Sequence, residues 1–231
     1  MSAIFITATG TDVGKTHVAA SLIRHLRQMG RLVDAIKPVV SGYDPTQAAA
    51  SDPGVLLHAL GLPVTEHEID RISPWRFSAA LSPDLAAARE ARGIDVDTVI
   101  KFCRTAIDRR RDILLIEGSG GIMVPLDGER TMLDVMMALQ LPLILVAGSY
   151  LGTISHTLTA LDALYRRNMR VLAIVVSETP GSTVPLDDTV AAVARFAEPV
   201  IGLPRQKPNQ PPQPDGGANK TIDALSRIFG Q

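Results

Sequence analysis

Gly14, Lys15 and Thr16 follow a short apolar run that begins at Ile4, and apolar residues at helical spacing come after them. A strand, a tight turn and a helix in this order form the setting of a phosphate-binding loop. Backbone N–H groups of the turn converge on one point, where the helix dipole adds positive potential. Lys15 can reach the β- and γ-phosphates of a nucleotide, and the Thr16 hydroxyl can ligate Mg²⁺. The stretch therefore predicts nucleotide binding.

The loop is a variant of the usual pattern. The first glycine of G-x-x-x-x-G-K-[ST] falls on Thr9, and the nearest glycine is Gly10. The alternative is a glycine-containing turn before an ordinary helix. Phosphate binding is favoured because Gly-Lys-Thr stands directly after the predicted strand, where the mechanism requires it.

Lys37 and Glu117 each end a predicted buried strand. Ligands of open parallel sheets bind beyond the carboxyl ends of the strands, so Lys37 and the nearby Ser41 are expected close to the phosphates. A solvated lysine at a strand end is the alternative for Lys37. Glu117 precedes a run of small residues and resembles a Walker B carboxylate, which holds Mg²⁺ directly or through water. An acid at the end of a buried strand needs a partner, which favours this role.

Strands that alternate with helices predict an α/β fold: a doubly wound, mainly parallel sheet flanked by helices, like that of P-loop NTPases, in a single domain over residues 1–231. Strands are expected at residues 4–8, 33–37, 112–117, 141–147, 171–176 and 200–203. Helices are expected at residues 15–29, 52–60, 83–92, 95–111, 131–139, 153–167, 186–197 and 218–229. Residues 43–53 are expected to form a loop, 62–81 irregular structure and 204–217 a Pro-rich loop.

Composition excludes several classes of function. The net charge of −1 gives no reason to expect nucleic acid or an acidic membrane as a partner. The single cysteine, Cys103, excludes an intramolecular disulfide and a cysteine-based zinc cluster, and we expect it to pack in the core. The apolar runs are too short to span a bilayer, and no signal peptide precedes the first strand, so a cytoplasmic protein is expected.

Four segments together resemble the dethiobiotin synthetase family over nearly the whole chain. They are Gly10–Thr16, Lys37-Pro38-Val39-Val40-Ser41-Gly42, Glu117–Gly121 with Pro125-Leu126, and Gly152 with His156. Members are homodimers of the biotin pathway. The resemblance implies that ATP, Mg²⁺ and CO₂ or bicarbonate are used to close a ureido ring on 7,8-diaminopelargonate. Dethiobiotin, ADP and phosphate would form through a carbamate and a carbamic–phosphoric anhydride.

The same resemblance implies roles for individual residues. The catalytic residues would be Lys37, Lys15 and Thr11. Mg²⁺ would be held by Thr16, Asp52 and Glu117. The substrate would be bound by Ser41 and, through its carboxylate across the dimer interface, by Gly152 and Thr153. The nucleotide would be bound by Asp12, Val13, Gly14, Lys15, Thr16, His17, Asp52, Glu117, Gly118, Ser119, Gly120, Ser177 and Pro204.

The chain departs from the family pattern at three places. Many members carry Glu where this chain has Asp12. The spacing after Lys37 varies, so Asp44 rivals Asp52 for the metal. Without the resemblance, the favoured interpretation of Asp52 is a helix N-cap. Ser177 and Glu178 replace an Asn-Asp pair whose Asn reads the adenine edge. A serine hydroxyl cannot make that paired contact, so we expect weaker base discrimination, or discrimination by backbone at residues 203–208.

Three other functions compete with this interpretation. A partitioning or septum-positioning ATPase typically has an extra lysine at the place occupied here by Thr7. A cobyrinate-type amide synthetase would need a glutaminase domain with its own nucleophilic cysteine, for which the chain has no room. A binding or regulatory protein without turnover would not need Lys15, Thr16, Lys37 and Glu117 all intact.

Overall fold

The computed structural model describes residues 3–205 and residues 222, 223 and 225. The strands are β1 (Ala3–Ala8), β2 (Val33–Ile36), β3 (Val39–Ser41), β4 (Trp75–Phe77), β5 (Ile113–Glu117), β6 (Leu143–Gly148), β7 (Val171–Ser177) and β8 (Val200–Leu203). The α-helices are α1 (Lys15–Gln28), α2 (Asp52–Leu60), α3 (Glu66–Ile72), α4 (Pro83–Arg89), α5 (Val96–Arg109), α6 (Met132–Leu139), α7 (Thr153–Tyr165) and α8 (Leu186–Ala194). A 3₁₀-helix covers Pro45–Ala50.

The main sheet has the strand order β2-β5-β1-β6-β7-β8, and every pairing in it is parallel. β1 lies at its centre, where Phe5 is in register with Ile116 of β5 and Leu143 of β6. All residues of β1, β5 and β6 are buried, as the continuous apolar runs of a sheet covered on both faces require. The strand order reverses at β1, which confirms the doubly wound fold and directs ligands to the end of β1.

Two helices show how the sheet is covered. Residues Val18, Leu22 and Leu26 of α1 recur at helical spacing and are fully enclosed. On α5, Val99 and Cys103 form part of a similar buried stripe. Burial raises the pKa of the Cys103 thiol to about 12, so this cysteine packs as a small apolar group, as expected. Within the described part of the chain, no helix combines the length and apolar character needed to cross a membrane.

The chain between β2 and α4 is more regular than predicted. Residues 43–53 contain the 3₁₀-helix, which the Asp44 carboxylate caps by accepting the Thr46 N–H at 2.8 Å. Residues 62–81 contain α3 and β4, and β4 pairs in parallel with β3 to form a small second sheet. These elements are three to seven residues long, and a segment of that length shows no clear periodicity in sequence.

Other predicted boundaries agree with the structure to within a few residues. α4 ends at Arg89 and not at Arg92, because Ala91 adopts a positive φ of 50° that no helix continues through. In the Pro-rich segment predicted at 204–217, only Pro204 and Arg205 are described. The remainder of that prediction, and most of the predicted helix at 218–229, lie outside the described residues.

Candidate active site

A cleft of about 1090 Å³ opens at the ends of β1, β5 and β7. It is where the doubly wound topology places a ligand site. The predicted site residues that line it are Thr11, Asp12, Val13, Gly14, Lys15, Thr16, His17, Lys37, Ser41, Asp52, Ser119, Gly120 and Ser177. One surface therefore gathers residues that the sequence separates by more than 150 positions.

The loop before α1 is bent into a conformation that few residues tolerate. Gly14 has φ +95° and Asp12 has φ +57°. A Cβ atom on Gly14 would lie 2.5 Å from Oγ of Ser177, so a side chain at this position would also clash with the end of β7. Gly14 is the N-cap of α1 and offers no side chain to the first-turn N–H groups, which remain available to a phosphate.

Lys15 is buried beneath this loop. Its ammonium group donates a hydrogen bond to the Gly10 carbonyl at 3.0 Å. Burial lowers the pKa of Lys15 to about 8, with a further lowering by the charge of Lys37; Glu117 and Asp52 oppose the shift. Lys15 therefore loses its proton more readily than an ordinary lysine until an anion lies against it.

Lys37 lies between two carboxylates. Its Nζ is 2.5 Å from Oε1 of Glu117 and 2.7 Å from Oδ2 of Asp52. Lys37 and Glu117 are enclosed, whereas the Asp52 side chain is half-exposed. Burial alone would lower the pKa of Lys37, but attraction from Glu117 and then Asp52 outweighs it, so the pKa is raised. Lys37 is therefore held as a cation.

Asp52 is free for this contact because another residue caps α2. The Ser51 side chain accepts the Gly54 N–H at 3.3 Å, so the N-cap interpretation of Asp52 is wrong. Burial tends to raise the pKa of Asp52, but the charge and hydrogen bond of Lys37 lower it overall. Asp44, the rival for the metal, caps the 3₁₀-helix, and it is absent from the cleft lining within the described residues.

The oxygen atoms around Glu117 fit a magnesium ion. The Thr16 hydroxyl donates to Oε1 of Glu117 at 2.6 Å. Oε2 of Glu117 is buried and has no hydrogen-bond partner among the described residues, which is costly for a carboxylate oxygen. A threonine hydroxyl and two carboxylates are hard oxygen donors of the kind that Mg²⁺ prefers. Thr16, Asp52 and Glu117 are thus suited to hold it.

Several predicted site residues lie outside the lining of the cleft in the described structure. Gly118 lies against the Phe5 ring, where a Cβ atom would be 3.0 Å away. Pro204 precedes the lining residue Arg205. Gly152 and Thr153 begin α7, and the buried Thr153 hydroxyl donates to the Gly148 carbonyl at 2.7 Å. A single copy of the chain therefore brings neither Gly152 nor Thr153 to the phosphate loop.

Residues of the cleft that sequence reasoning missed include Arg205, Ser82 and Pro83. The Arg205 N–H donates to Oε2 of Glu178 at 2.8 Å, which joins the ends of β7 and β8. The His17 pKa is lowered by burial, then by the nearby charges of Arg24 and Arg205. Arg205 could have been found, because it follows the carboxyl end of a parallel strand. Ser82 and Pro83 carry no such signal.

Comparison with known proteins found relatives that match most of the chain. A family model described as an AAA domain matches residues 2–212. An ATP-dependent dethiobiotin synthetase from Caulobacter sp. (strain K31) is 50% identical over 208 residues, which cover 89% of both chains. The chain belongs to the dethiobiotin synthetase family. Relatives of the same name from Methylobacterium nodulans and Acidiphilium cryptum are 48% and 46% identical, over 85% and 84% of this chain and 90% and 88% of their own lengths.

Family membership confirms the expected class of enzyme, a carbon–nitrogen ligase of the cyclo-ligase type that binds ATP and serves biotin biosynthesis. Solved structures of ATPases resemble this dethiobiotin synthetase family member in fold. The cell division ATPase MinD from Pyrococcus furiosus has a TM-score of 0.58 over 100% of this chain and 99% of its own. A ParA family ATPase from Chlorobium tepidum has a TM-score of 0.54 over 98% of both chains. Each is 16% identical, so the likeness concerns the fold alone.

Proposed function

We propose that the protein closes the ureido ring of dethiobiotin on 7,8-diaminopelargonate, using ATP, CO₂ and Mg²⁺, as one domain over residues 1–231. The observation that carries this proposal is the position of Lys37. Its ammonium group lies 2.5 Å from Glu117 and 2.7 Å from Asp52, in the same cleft as Lys15. Nucleotide binding alone needs Lys15, whereas a second enclosed cation beside the phosphates suits a second anionic reactant.

The nucleotide would lie across the phosphate loop, with its phosphates at the N-terminus of α1. The first-turn N–H groups of α1 and the Lys15 ammonium would neutralise them. The base would extend toward Ser177 and Arg205, which line the cleft at the ends of β7 and β8. Thr16, Asp52 and Glu117 would hold Mg²⁺, which when bound supplies positive charge to the β- and γ-phosphate oxygens.

The reaction would proceed in three steps. One amine of the substrate adds CO₂ and loses a proton, which gives a carbamate. A carbamate oxygen attacks the γ-phosphorus, the bond to ADP breaks, and a carbamic–phosphoric anhydride forms. The second amine then attacks the carbamate carbon, loses a proton and expels phosphate, which closes the ring. Phosphoryl transfer of this kind depends chiefly on alignment and on neutralisation of charge.

This chain's residues suit those demands. Lys37 retains its proton and would stabilise the carbamate and the transferring phosphoryl group. Ser41 lines the cleft with a buried hydroxyl that has no hydrogen-bond partner among the described residues. That hydroxyl is available to the substrate, and the cleft-lining hydroxyl of Thr11 would serve in the same way.

The substrate carboxylate would be bound by a second copy of the chain in a homodimer. Gly152 and Thr153 start α7, whose N-terminal N–H groups suit an anion, but both residues lie outside the described cleft lining. The adjacent Leu151 is 91% exposed and Ile154 is 37% exposed, which suits an interface. A mixture of Lys37→Gln and Gly152→Trp chains, each inactive alone, should regain activity; no recovery would contradict the shared site.

Diamine-dependent release of ADP tests the proposed reaction. With bicarbonate and Mg²⁺ present, ADP should appear only when 7,8-diaminopelargonate is added, in equal amount to dethiobiotin. Equal ADP release without the diamine would indicate a simple ATPase and defeat the proposal.

A Lys37→Gln variant should lose at least about 100-fold in kcat while its affinity for ATP changes little, because one charge contact in the transition state is lost. Lys101→Gln, which removes an exposed lysine of α5, is the matched control and should leave kcat unchanged. Unchanged turnover in Lys37→Gln would remove Lys37 from the mechanism.

A further inference from the structure

The backbone at Lys37 is held by the segment that joins α3 to β4. The Lys37 N–H donates to the Ile72 carbonyl at 3.0 Å, and the Trp75 N–H donates to the Pro38 carbonyl at 3.1 Å. Between these two contacts, the Ser73 hydroxyl donates to the Lys37 carbonyl at 2.6 Å. The end of α3 and the start of β4 therefore form hydrogen bonds with successive backbone groups of Lys37 and Pro38.

Ser73 is enclosed and fixed by its own surroundings. It is 0% exposed, and its N–H donates to the Ile69 carbonyl at 2.8 Å to end α3. α3 is anchored by buried Ile69 and Ile72. Arg71 of the same helix contacts Asp34 of β2 at 3.2 Å. The Ser73 hydroxyl is therefore a donor in a defined place and not a mobile surface group.

The hydrogen bond from Ser73 matters because a lysine side chain has four rotatable bonds, so its ammonium group can occupy many positions. Pro38 restricts Lys37 to extended backbone conformations, and a hydrogen bond to the Lys37 carbonyl selects among them. Without that bond, a buried carbonyl would be left unpaired and the peptide would rotate toward another donor. Rotation there would move the Lys37 ammonium away from Asp52 and Glu117.

We propose that Ser73 is a positioning residue for Lys37: its buried hydroxyl fixes the Lys37 carbonyl and so aims the ammonium group at the reacting phosphoryl and carbamate oxygens. Ser73 does not line the cleft in the described structure, so it would not touch either reactant. This inference rests on the proposed function, because that function gives Lys37 its part in the reaction.

A Ser73→Ala variant, which removes a single oxygen atom, tests the proposal. We expect kcat to fall by about 10- to 100-fold, the size of effect that a displacement of about 1 Å produces. The KM for ATP should change by less than about twofold, because Lys15 and the phosphate loop are untouched. An amine-modifying reagent, with its product followed by mass spectrometry, should modify Lys37 at least about threefold faster in Ser73→Ala than in the unsubstituted protein. Ser73→Thr keeps the hydroxyl and should restore most of kcat.

Thr189→Val is the matched control. Thr189 is also buried, and its hydroxyl donates to the Pro185 carbonyl at 3.1 Å on α8, which supplies no lining residue of the described cleft. The Thr189→Val variant should lose thermal stability as Ser73→Ala does, but its kcat and the rate of Lys37 modification should stay unchanged. Normal kcat in Ser73→Ala, or an equal loss of kcat in Thr189→Val, would overturn the positioning role. If the positioning role fails in this way but Lys37→Gln is inactive, the proposed function still stands. An active Lys37→Gln variant would overturn both the positioning role and the proposed function.

Discussion

Nucleotide binding should weaken as the pH rises through 8, because Lys15 must be charged to hold phosphate. The pKa of Lys15 in the free protein is about 8, below the ordinary 10.5, chiefly because the group is buried. Phosphates against the ammonium group would raise that pKa again, so nucleotide binding and proton binding are linked. Below pH 7 Lys15 is charged and the full affinity is present, and above pH 8 part of the binding free energy is used to protonate it.

The magnitude follows from the pKa of about 8. The Kd for Mg-ATP should rise about twofold at pH 8 and about tenfold at pH 9, relative to pH 6.5. Binding should take up about 0.5 proton at pH 8 and about 0.9 proton at pH 9. Calorimetry in buffers of different ionisation enthalpy measures both quantities, and the phosphates themselves are already ionised in this range.

Lys37, His17 and the core residue Cys103 do not titrate in this range. The pKa of Lys37 is raised by Glu117 and Asp52 despite its burial, so Lys37 stays charged. The pKa of His17 is lowered by burial, and that of the Cys103 thiol is raised to about 12. A Lys15→Arg variant is the control, because its guanidinium keeps its charge and should give a pH-independent Kd between pH 7 and 9. A flat profile in the unmodified protein, or the same slope in Lys15→Arg, would refute the reasoning.

Two further predictions concern the contact between the phosphate loop and β7. Gly14→Ala should lower the free energy of unfolding by about 1–3 kcal/mol and raise the Kd for ATP at least about tenfold, because its Cβ would lie 2.5 Å from Oγ of Ser177 at a φ of +95°. Gly30→Ala, with φ +78° and no atom within 4 Å, is the control and should be destabilised without losing ATP affinity. Because the Ser177 hydroxyl cannot make the paired donor-and-acceptor contact that an amide makes with the adenine edge, kcat/KM for ATP, GTP and CTP should agree within about tenfold. An ATP preference of several hundredfold that only a Ser177 substitution removes would contradict this.

Local sequence patterns predicted those candidate site residues that lie at or just beyond the carboxyl ends of strands. Lys15, Lys37 and Glu117 each follow an apolar run, and the rule that ligands bind beyond parallel strands placed all three together. The same rule indicates Arg205 after β8, but the prolines that follow this short strand are typical of a loop. Element types were predictable wherever a helix or strand was long enough to show its period.

Contacts that depend on the packing of short elements were not predictable. Ser73 lies 36 positions from Lys37, at the end of the seven-residue helix α3 that sequence periodicity did not reveal. Asp52 could be read as a cap or as a ligand, and only the position of Ser51 decided between them. Such contacts depend on how short elements pack, and residue type alone contains no information on the partner.

Lys15 and Lys37, which both line the cleft, differ in how their charges are stabilised. Lys15 is buried, and among the described residues its ammonium group donates a hydrogen bond only to a backbone carbonyl, at 3.0 Å, so its charge is costly until phosphate binds. Lys37 is also buried, but two carboxylates within 2.7 Å keep it charged. Lys15 loses its proton more readily when no nucleotide is bound, which makes phosphate affinity depend on pH, whereas the permanently charged Lys37 is ready for a reactant that becomes anionic during the reaction. A carbamate is such a reactant, since it forms from a neutral amine and CO₂. Under the proposed function, Lys37 would therefore be the residue that suits this phosphate-binding fold to ligation.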